Sequence, residues 1–215
     1  MKMAILAAGL GTRMRAVSNG RPKIFLEVGG RSLLDRLLDI AALLGAEPLV
    51  VTRPELADEL RSLGLEVLVE ESPEEMLGTL YHARSALRET FCWVAGDMLF
   101  SDPAPLSELA AAHREQGVVT SFFYCRTSRF KAKLRLDPRP EVVATREPGY
   151  SLSIPNFLVS EPKIFTYMAS DPQHGNFLQH SIDAGDPVLF REYTARAFEL
   201  DTPQDLEEAR RYFGR

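Results

Sequence analysis

Apolar residues along this chain fall into short unbroken runs, separated by stretches with helical spacing. Met3 to Ala8 is a continuous apolar run of the kind that forms a strand buried on both faces. A glycine turn, Gly9-Leu10-Gly11, follows it. Ser32 then stands as an N-cap before Leu33, Leu34, Leu37, Leu38, Ala41 and Leu44, which repeat along one helix face, and Gly45 closes that helix. Pro48 to Thr52 predicts a second strand, Pro54 to Leu63 a helix with Gly64 behind it, and Glu66 to Val69 a third strand. Met76 to Leu87 reads as a helix and Phe91 to Ala95 as a fourth strand. Repeated alternation of strand and helix predicts a parallel sheet made of βαβ units.

Beyond a helix at Pro105 to Gln116 the rhythm changes. Strands are predicted at Val118 to Cys125, Lys133 to Leu136, Glu141 to Thr145 and Pro155 to Val159, with little helix between them. Helices at Pro162 to Met168 and Phe177 to Ala184, a strand at Ala197 to Leu200 and a helix at Pro203 to Phe213 complete the pattern. No repeat, low-complexity tract or long linker interrupts it. One domain over residues 1–215 is expected, with a doubly wound half up to about residue 117 and a second half from about 118 that completes the sheet.

Composition agrees with a single globular domain: 215 residues, 45% of them hydrophobic and 26% charged. A net charge of -5 argues against a general nucleic-acid binder, while a few basic residues in one cleft still suffice for a phosphate ligand. No run is long enough to span a membrane. Met1 to Gly9 briefly imitates a secretion signal, but its apolar stretch is too short and Arg13 and Arg15 follow at once, so a cytoplasmic protein is expected. Cys92 and Cys125 lie in apolar, strand-like runs outside any CxxC pair and read as reduced, buried thiols. His82, His113, His174 and His180 show no metal-ligand spacing and read as surface or structural residues.

The chemistry concentrates in the loop after the first strand. Two glycines there let the backbone turn sharply and bring N–H groups up to phosphate oxygens. Arg13 adds a planar fork and Lys23 a compact positive charge. The loop is not a Walker A motif, because no Gly-Lys-Ser/Thr follows. It departs from the dinucleotide fingerprint at Met14, where a third glycine belongs. A nicotinamide-dependent enzyme would also need an acidic ribose ligand after the second strand, and Glu55 and Asp58 read as exposed helix residues instead. Asp97 follows the fourth strand through Gly96, at the end of a parallel strand where open α/β sheets bind ligands. A carboxylate there can share Mg²⁺ with phosphate oxygens. Near the C-terminus, Asp201 or Thr202 before Pro203 makes a helix start, and Asp205 falls inside the helix as a structural residue.

Leu6-Ala7-Ala8-Gly9-Leu10-Gly11-Thr12-Arg13-Met14 with Pro22-Lys23 resembles the signature of the sugar-phosphate nucleotidyltransferases, whose superfamily includes the molybdenum-cofactor guanylyltransferases. The stretch Phe25 to Leu34 is similar too, as are Ala95-Gly96-Asp97 and the closing Asp201-Thr202-Pro203-Gln204-Asp205-Leu206. The chain departs from the family at Ala16, Ser18, Ser32 and Ala95, where Pro, Thr, Pro and Asn are usual, and none of these removes a charged group.

The resemblance implies a three-layer α/β/α fold, Rossmann-like and GT-A-like, with a mostly parallel sheet. It implies transfer of NMP from an NTP to a small phosphate monoester, a sugar 1-phosphate first, with release of pyrophosphate. Ala8, Gly9, Gly11 and Thr12 would shape the phosphate loop, and Arg13 and Lys23 would be catalytic. Asp97 and Asp201 would hold Mg²⁺. Leu77-Gly78-Thr79 resembles the base-contacting element and makes Gly78 and Thr79 nucleotide-binding candidates, with Leu80 where Ala is usual. On the acceptor side, Ser153 to Val159 resembles the sugar-contacting strand and offers Asn156, with Phe157 where a small residue is usual. Arg146-Glu147-Pro148 resembles a Glu-Lys-Pro element and offers Glu147. Lys131 and Lys133 could meet an acceptor phosphate, but read more readily as solvated surface lysines. A molybdenum-cofactor-type acceptor, phosphocholine, inositol phosphate, or a non-catalytic nucleotide-binding role stays open, as do the base and the oligomeric state.

Overall fold

The computed structural model describes residues 1–18, 20–73, 75–127, 129–137, 139–143, 150–171 and 174–214, with the side chains of 15 and 16 left aside. Its central sheet comprises β1 (Lys2–Leu6), β2 (Glu47–Thr52), β3 (Glu66–Val69), β4 (Phe91–Ala95), β5 (Thr120–Tyr124), β6 (Phe157–Ser160) and β7 (Val188–Glu192). They lie in the order β7-β5-β6-β4-β1-β2-β3. Every pairing is parallel except those of β6, which runs antiparallel to both β4 and β5.

Helices α1 (Leu33–Leu43), α2 (Pro54–Ser62), α3 (Met76–His82), α4 (Ala104–Gln116), α5 (Ile164–Ala169), α6 (Phe177–Asp183) and α7 (Pro203–Phe213) surround this sheet. Side chains alternate across each strand, so the sheet buries two separate faces. Met3, Ile5, Val50, Cys92 and Val94 share a core with Leu34 and Leu37 of α1, Leu56 and Leu60 of α2, and Leu106 and Leu109 of α4. Ala4, Leu6, Val51, Phe91 and Trp93 share the opposite core with Leu80 of α3, Phe165 and Met168 of α5, and Phe177 and Leu178 of α6. The result is the three-layer α/β/α arrangement expected above.

Local chemistry sets the helix starts. Ser32 and Asp35 form a reciprocal capping box on α1, and Thr202 and Asp205 form one on α7. Each cap is worth about 1 kcal/mol. Because Thr202 is the cap of α7, Asp201 lies just outside the helix.

One sequence expectation is corrected, and two features of the fold had none. The helix from Met76 ends at His82 and tightens into a 3₁₀ turn over Ala83–Ser85 instead of running on to Leu87. Strand β7 had no counterpart in the reading above: it is a half-buried edge strand, so its residues lack both the unbroken run of a central strand and clean alternation. Met98–Phe100 pairs antiparallel with Ala197–Glu199, a short ladder that draws the C-terminal segment beside the end of β4.

The chain winds from β1 to β2 and β3, then returns to the other side of β1 as β4. That reversal opens a crevice at the carboxyl ends of β1 and β4, the place where sheets of this class bind ligands.

Candidate active site

The loop that leaves β1 is fastened at both ends. Ala7 N donates to Val51 O at 2.8 Å and Gly96 N donates to Leu6 O at 2.9 Å, which ties β1, β2 and β4 together at the rim of the crevice. A Cβ on Gly96 would stand 3.0 Å from Leu6 O, so this close approach depends on glycine. At the far end, Met14 N donates to Gly11 O at 2.9 Å, and the Met14 side chain is fully buried among Leu26, Val28, Leu33 and Phe198. Met14 is therefore the loop's anchor, which is the physical reason a third glycine would not serve there.

Gly11 takes a left-handed conformation, φ +58°, and a Cβ there would meet Lys23 Cγ at 3.2 Å. The stem of Lys23 thus lies against the loop. Its ammonium reaches two carboxylates at once: Asp97 Oδ2 at 2.9 Å and Asp201 Oδ1 at 2.6 Å. Arg13 Nη1 approaches Asp201 Oδ2 at 3.4 Å from the more exposed side. Leu200 N donates to Asp97 O at 3.0 Å, holding the two aspartate-bearing segments side by side. Residues from the first turn, the middle and the last turn of the chain meet here.

The charges in this cluster shape one another. Burial pulls the Lys23 ammonium toward neutrality, but Asp97 and Asp201 together outweigh that pull and raise its pKa. Burial pushes the Asp97 carboxyl above its usual range, and the Lys23 ammonium opposes the push without cancelling it. The two carboxylates offer oxygen atoms, the ligand type a hard divalent cation takes, with the Lys23 ammonium in contact with both. Among the described residues no group of three or more His, Cys, Asp or Glu could hold a metal ion. Asp97 and Asp201 converge on one cationic group, the Lys23 ammonium, as carboxylates also converge on a divalent cation.

Two cavities adjoin this cluster. The first, about 360 Å³, is lined by Ala8, Gly9, Gly11, Thr12, Lys23, Thr79 and Asp97. The second, about 510 Å³, is lined by Asp97, Asp201, Asn156, Glu199 and Lys131, with Trp93, Leu158 and Phe177 among its apolar walls. Asp97, Glu75 and Met76 belong to both.

The residues singled out in the sequence are placed unevenly. Ala8, Gly9, Gly11, Thr12, Lys23, Asp97 and Asp201 come together as described. Arg13 lines neither cavity and reaches the site through Asp201. Thr79 is buried in the wall of the first cavity: it lies within α3, and its hydroxyl donates to Glu75 O at 3.3 Å. Gly78 lines neither cavity. Asn156 lines the second, with its amide donating to Glu199 Oε1 at 2.9 Å. Glu147 lies outside the described residues, as do Arg146 and Pro148. Lys133, expected at the surface, is buried and donates to Phe130 O, whereas Lys131 is exposed and pairs with Glu75 at 3.6 Å. Glu199 went unnoticed in the sequence, although it stands two positions before Asp201; a tight turn, with Asp201 N donating to Glu199 O at 3.1 Å, leaves both in the wall of the second cavity.

Comparison with known proteins follows the same lines. The family model of the MobA-like NTP transferase domain matches residues 3–212. The chain belongs to that family. The match takes in both cavities and every candidate residue from Ala8 to Asp201. Among curated members, the N-acetylmuramate alpha-1-phosphate uridylyltransferase of Caulobacter vibrioides is 35% identical over 103 residues, covering 42% of this chain and 43% of that protein. The chain thus spans less than half of that relative's length. The UTP–glucose-1-phosphate uridylyltransferase of Haloferax volcanii is 26% identical across 97% of this chain and 95% of its own. A solved UDP-glucose pyrophosphorylase from Acinetobacter baumannii superposes with a TM-score of 0.83 at 16% identity, over 99% of this chain and 93% of that one, which speaks for the shared fold.

Proposed function

We propose that this MobA-like domain transfers a nucleotidyl group from an NTP to a small phosphate monoester, a sugar 1-phosphate first among them, and releases pyrophosphate. The observation that carries the reading is the double position of Asp97, in the wall of both cavities and in contact with Lys23. One cavity takes the nucleotide and the other the acceptor. Their phosphates meet where the charged cluster lies.

In this reading the acceptor's phosphate oxygen attacks the NTP α-phosphorus in line. The bond to the bridging oxygen breaks, and pyrophosphate leaves with the electron pair. The attacking oxygen is already anionic, so no side-chain nucleophile is required. Catalysis rests on positioning and charge stabilisation. Backbone N–H groups along Ala8 to Thr12 cradle the phosphates. Lys23 neutralises the reacting groups and Arg13 meets the departing pyrophosphate. Asp97 and Asp201 would hold Mg²⁺, which when bound there offsets the charge on the phosphate oxygens. Thr79, with Gly78, serves the base side. Asn156 orients the acceptor, its amide fixed by Glu199, and Glu147 is kept as a further acceptor contact.

The names of the two curated relatives each join a uridylyl group to a sugar 1-phosphate, which makes UTP the first nucleotide to try. Among the described residues no helix is long and apolar enough to cross a membrane. We place the reaction in the cytoplasm, where NTPs are supplied.

The test is magnesium-dependent pyrophosphate release, with the four NTPs crossed against sugar 1-phosphates, inositol phosphate and phosphocholine. One productive pair, silent in Asp97→Ala, is the expected result. Silence across the whole panel, or an Asp97→Ala variant as fast as wild type, overturns the reading.

A further inference from the structure

Arg129 stands between the acceptor side and the turn that carries Asp201. It follows β5, and two and three positions beyond it Lys131 and Ala132 enter the wall of the second cavity. Its guanidinium makes contacts on both sides of Asp201 in the sequence. The guanidinium carbon lies 5.6 Å from the centre of the Phe198 ring, three residues before Asp201. Arg129 Nη2 donates to Asp205 Oδ1 at 3.0 Å and to Glu208 Oε2 at 2.7 Å, both beyond Asp201.

The Asp205 carboxylate is divided between two tasks. One oxygen takes the bond from Arg129, and the other accepts from Thr202 N at 2.8 Å and Thr202 Oγ1 at 2.7 Å. Thr202 is the residue directly after Asp201. Glu208 has a second cationic partner in Arg196, and among the described residues Asp205 pairs with Arg129. Arg129 is half-buried, with 27% of its side chain exposed, so these bonds are shielded from water more than a surface ion pair is.

We propose that Arg129 is a positioning residue for Asp201. It holds the strand before that aspartate through Phe198 and the cap after it through Asp205, and so fixes where the Asp201 carboxylate points. The same residue ties this turn to the segment that lines the acceptor cavity, keeping the two parts of the site in register. The proposal rests on the reading of Asp201 as a metal-holding residue. Groups bonded directly to a metal ligand typically change metal affinity by about 10- to 100-fold when removed, and Arg129, one contact further back, belongs at the lower end of that range.

The experiment uses the full chain and Mn²⁺ as the probe. Protein-bound Mn²⁺ is titrated by electron paramagnetic resonance with each NTP and no acceptor, alongside kcat, KM and the melting temperature. Arg129→Gln is expected to weaken Mn²⁺ binding about tenfold or more and to lower kcat alike, with KM for the NTP within about twofold of wild type. Arg129→Lys should recover part of both losses, since an ammonium can meet one carboxylate but not the full fork. If Arg129→Gln does not fold, Asp205→Asn is read in its place, because it weakens the arm to Arg129 while its amide oxygen can still accept from Thr202. A variant that melts lower but keeps wild-type Mn²⁺ affinity and kcat reduces Arg129 to a strut and overturns the proposal. Wild-type protein that binds no Mn²⁺ with any NTP, or Asp201→Ala that binds it as well as wild type, overturns the metal reading and this proposal with it.

Discussion

Lys23 Nζ lies 2.6 Å from Asp201 Oδ1, a contact between residues 178 positions apart. The same nitrogen is 2.9 Å from Asp97 Oδ2, so one ammonium bridges two carboxylates at the mouth of the crevice. Its side chain is only 17% exposed, which keeps the attraction largely unscreened.

Lys23→Met keeps an apolar stem against Gly11 but removes the charge. Pyrophosphate release is expected to fall about 10²- to 10³-fold, the usual cost of one lost stabilising group in an active site. Circular dichroism should still report a folded chain. A rate within tenfold of wild type would remove Lys23 from the chemistry.

The two loop glycines are expected to respond differently to alanine. Gly11 has φ +58° and faces Lys23 Cγ, so Gly11→Ala strains the backbone by about 1 kcal/mol or more and displaces the lysine. It should lower kcat. Nothing stands within 4 Å of a Cβ built on Gly9, so Gly9→Ala should fold normally and show its effect as a raised KM for the NTP. Steady-state kinetics and melting curves of the two variants distinguish these outcomes; equal effects on kcat would contradict the loop's assigned geometry.

Asn156→Ala removes the amide that bonds Glu199 in the second cavity. The acceptor's KM should rise about tenfold, in line with the loss of about one hydrogen bond, while the NTP's KM stays near wild type. The reverse pattern would exchange the roles of the two cavities.

His113 gives the protein a pH dependence distant from the crevice. Its imidazole is buried on α4, with Nδ1 2.8 Å from Ser121 Oγ and Nε2 3.3 Å from Glu161 Oε1. Burial lowers its pKa, and Glu161 opposes that shift without cancelling it. In the unfolded chain the ring takes up a proton near about pH 6.5, while the folded chain resists until lower pH. Stability from this group is therefore full above about pH 6.5 and is lost as pH falls through the folded pKa. The melting-temperature gap between wild type and His113→Gln should shrink from pH 7.5 to pH 5; a constant gap would show that His113 does not titrate in this range.

Cys92 and Cys125 are buried, and burial pushes each thiol up to about 12. An aromatic disulfide reagent should find no reactive thiol in the native protein and both in denaturant. Rapid labelling before unfolding would mean that the chain opens at one of these cysteines.

Much of this protein was legible in the sequence because its signals are local. The apolar runs at β1, β2 and β4 lie in strands buried on both faces, and such strands need no alternation. Ser32 with Asp35 and Thr202 with Asp205 announce helix starts within four residues. The motif around Gly9, Gly11 and Arg13, the lysine after Pro22, and Asp97 past its strand could each be named from spacing and chemistry. What spacing could not supply was encounter. Asp97 and Asp201 meet Lys23 because β4 returns to the far side of β1 and because the ladder of Met98–Phe100 with Ala197–Glu199 brings the C-terminal turn alongside. The burial of Lys133, the arrival of Glu199 beside Asn156, and the grip of Arg129 on Asp205 likewise follow from contacts between distant segments. Local sequence determines which residues carry charge and where the chain turns, since those depend on neighbours a few bonds away. Only the tertiary structure decides which charges share a site, because strand order sets the distances through which electrostatics acts.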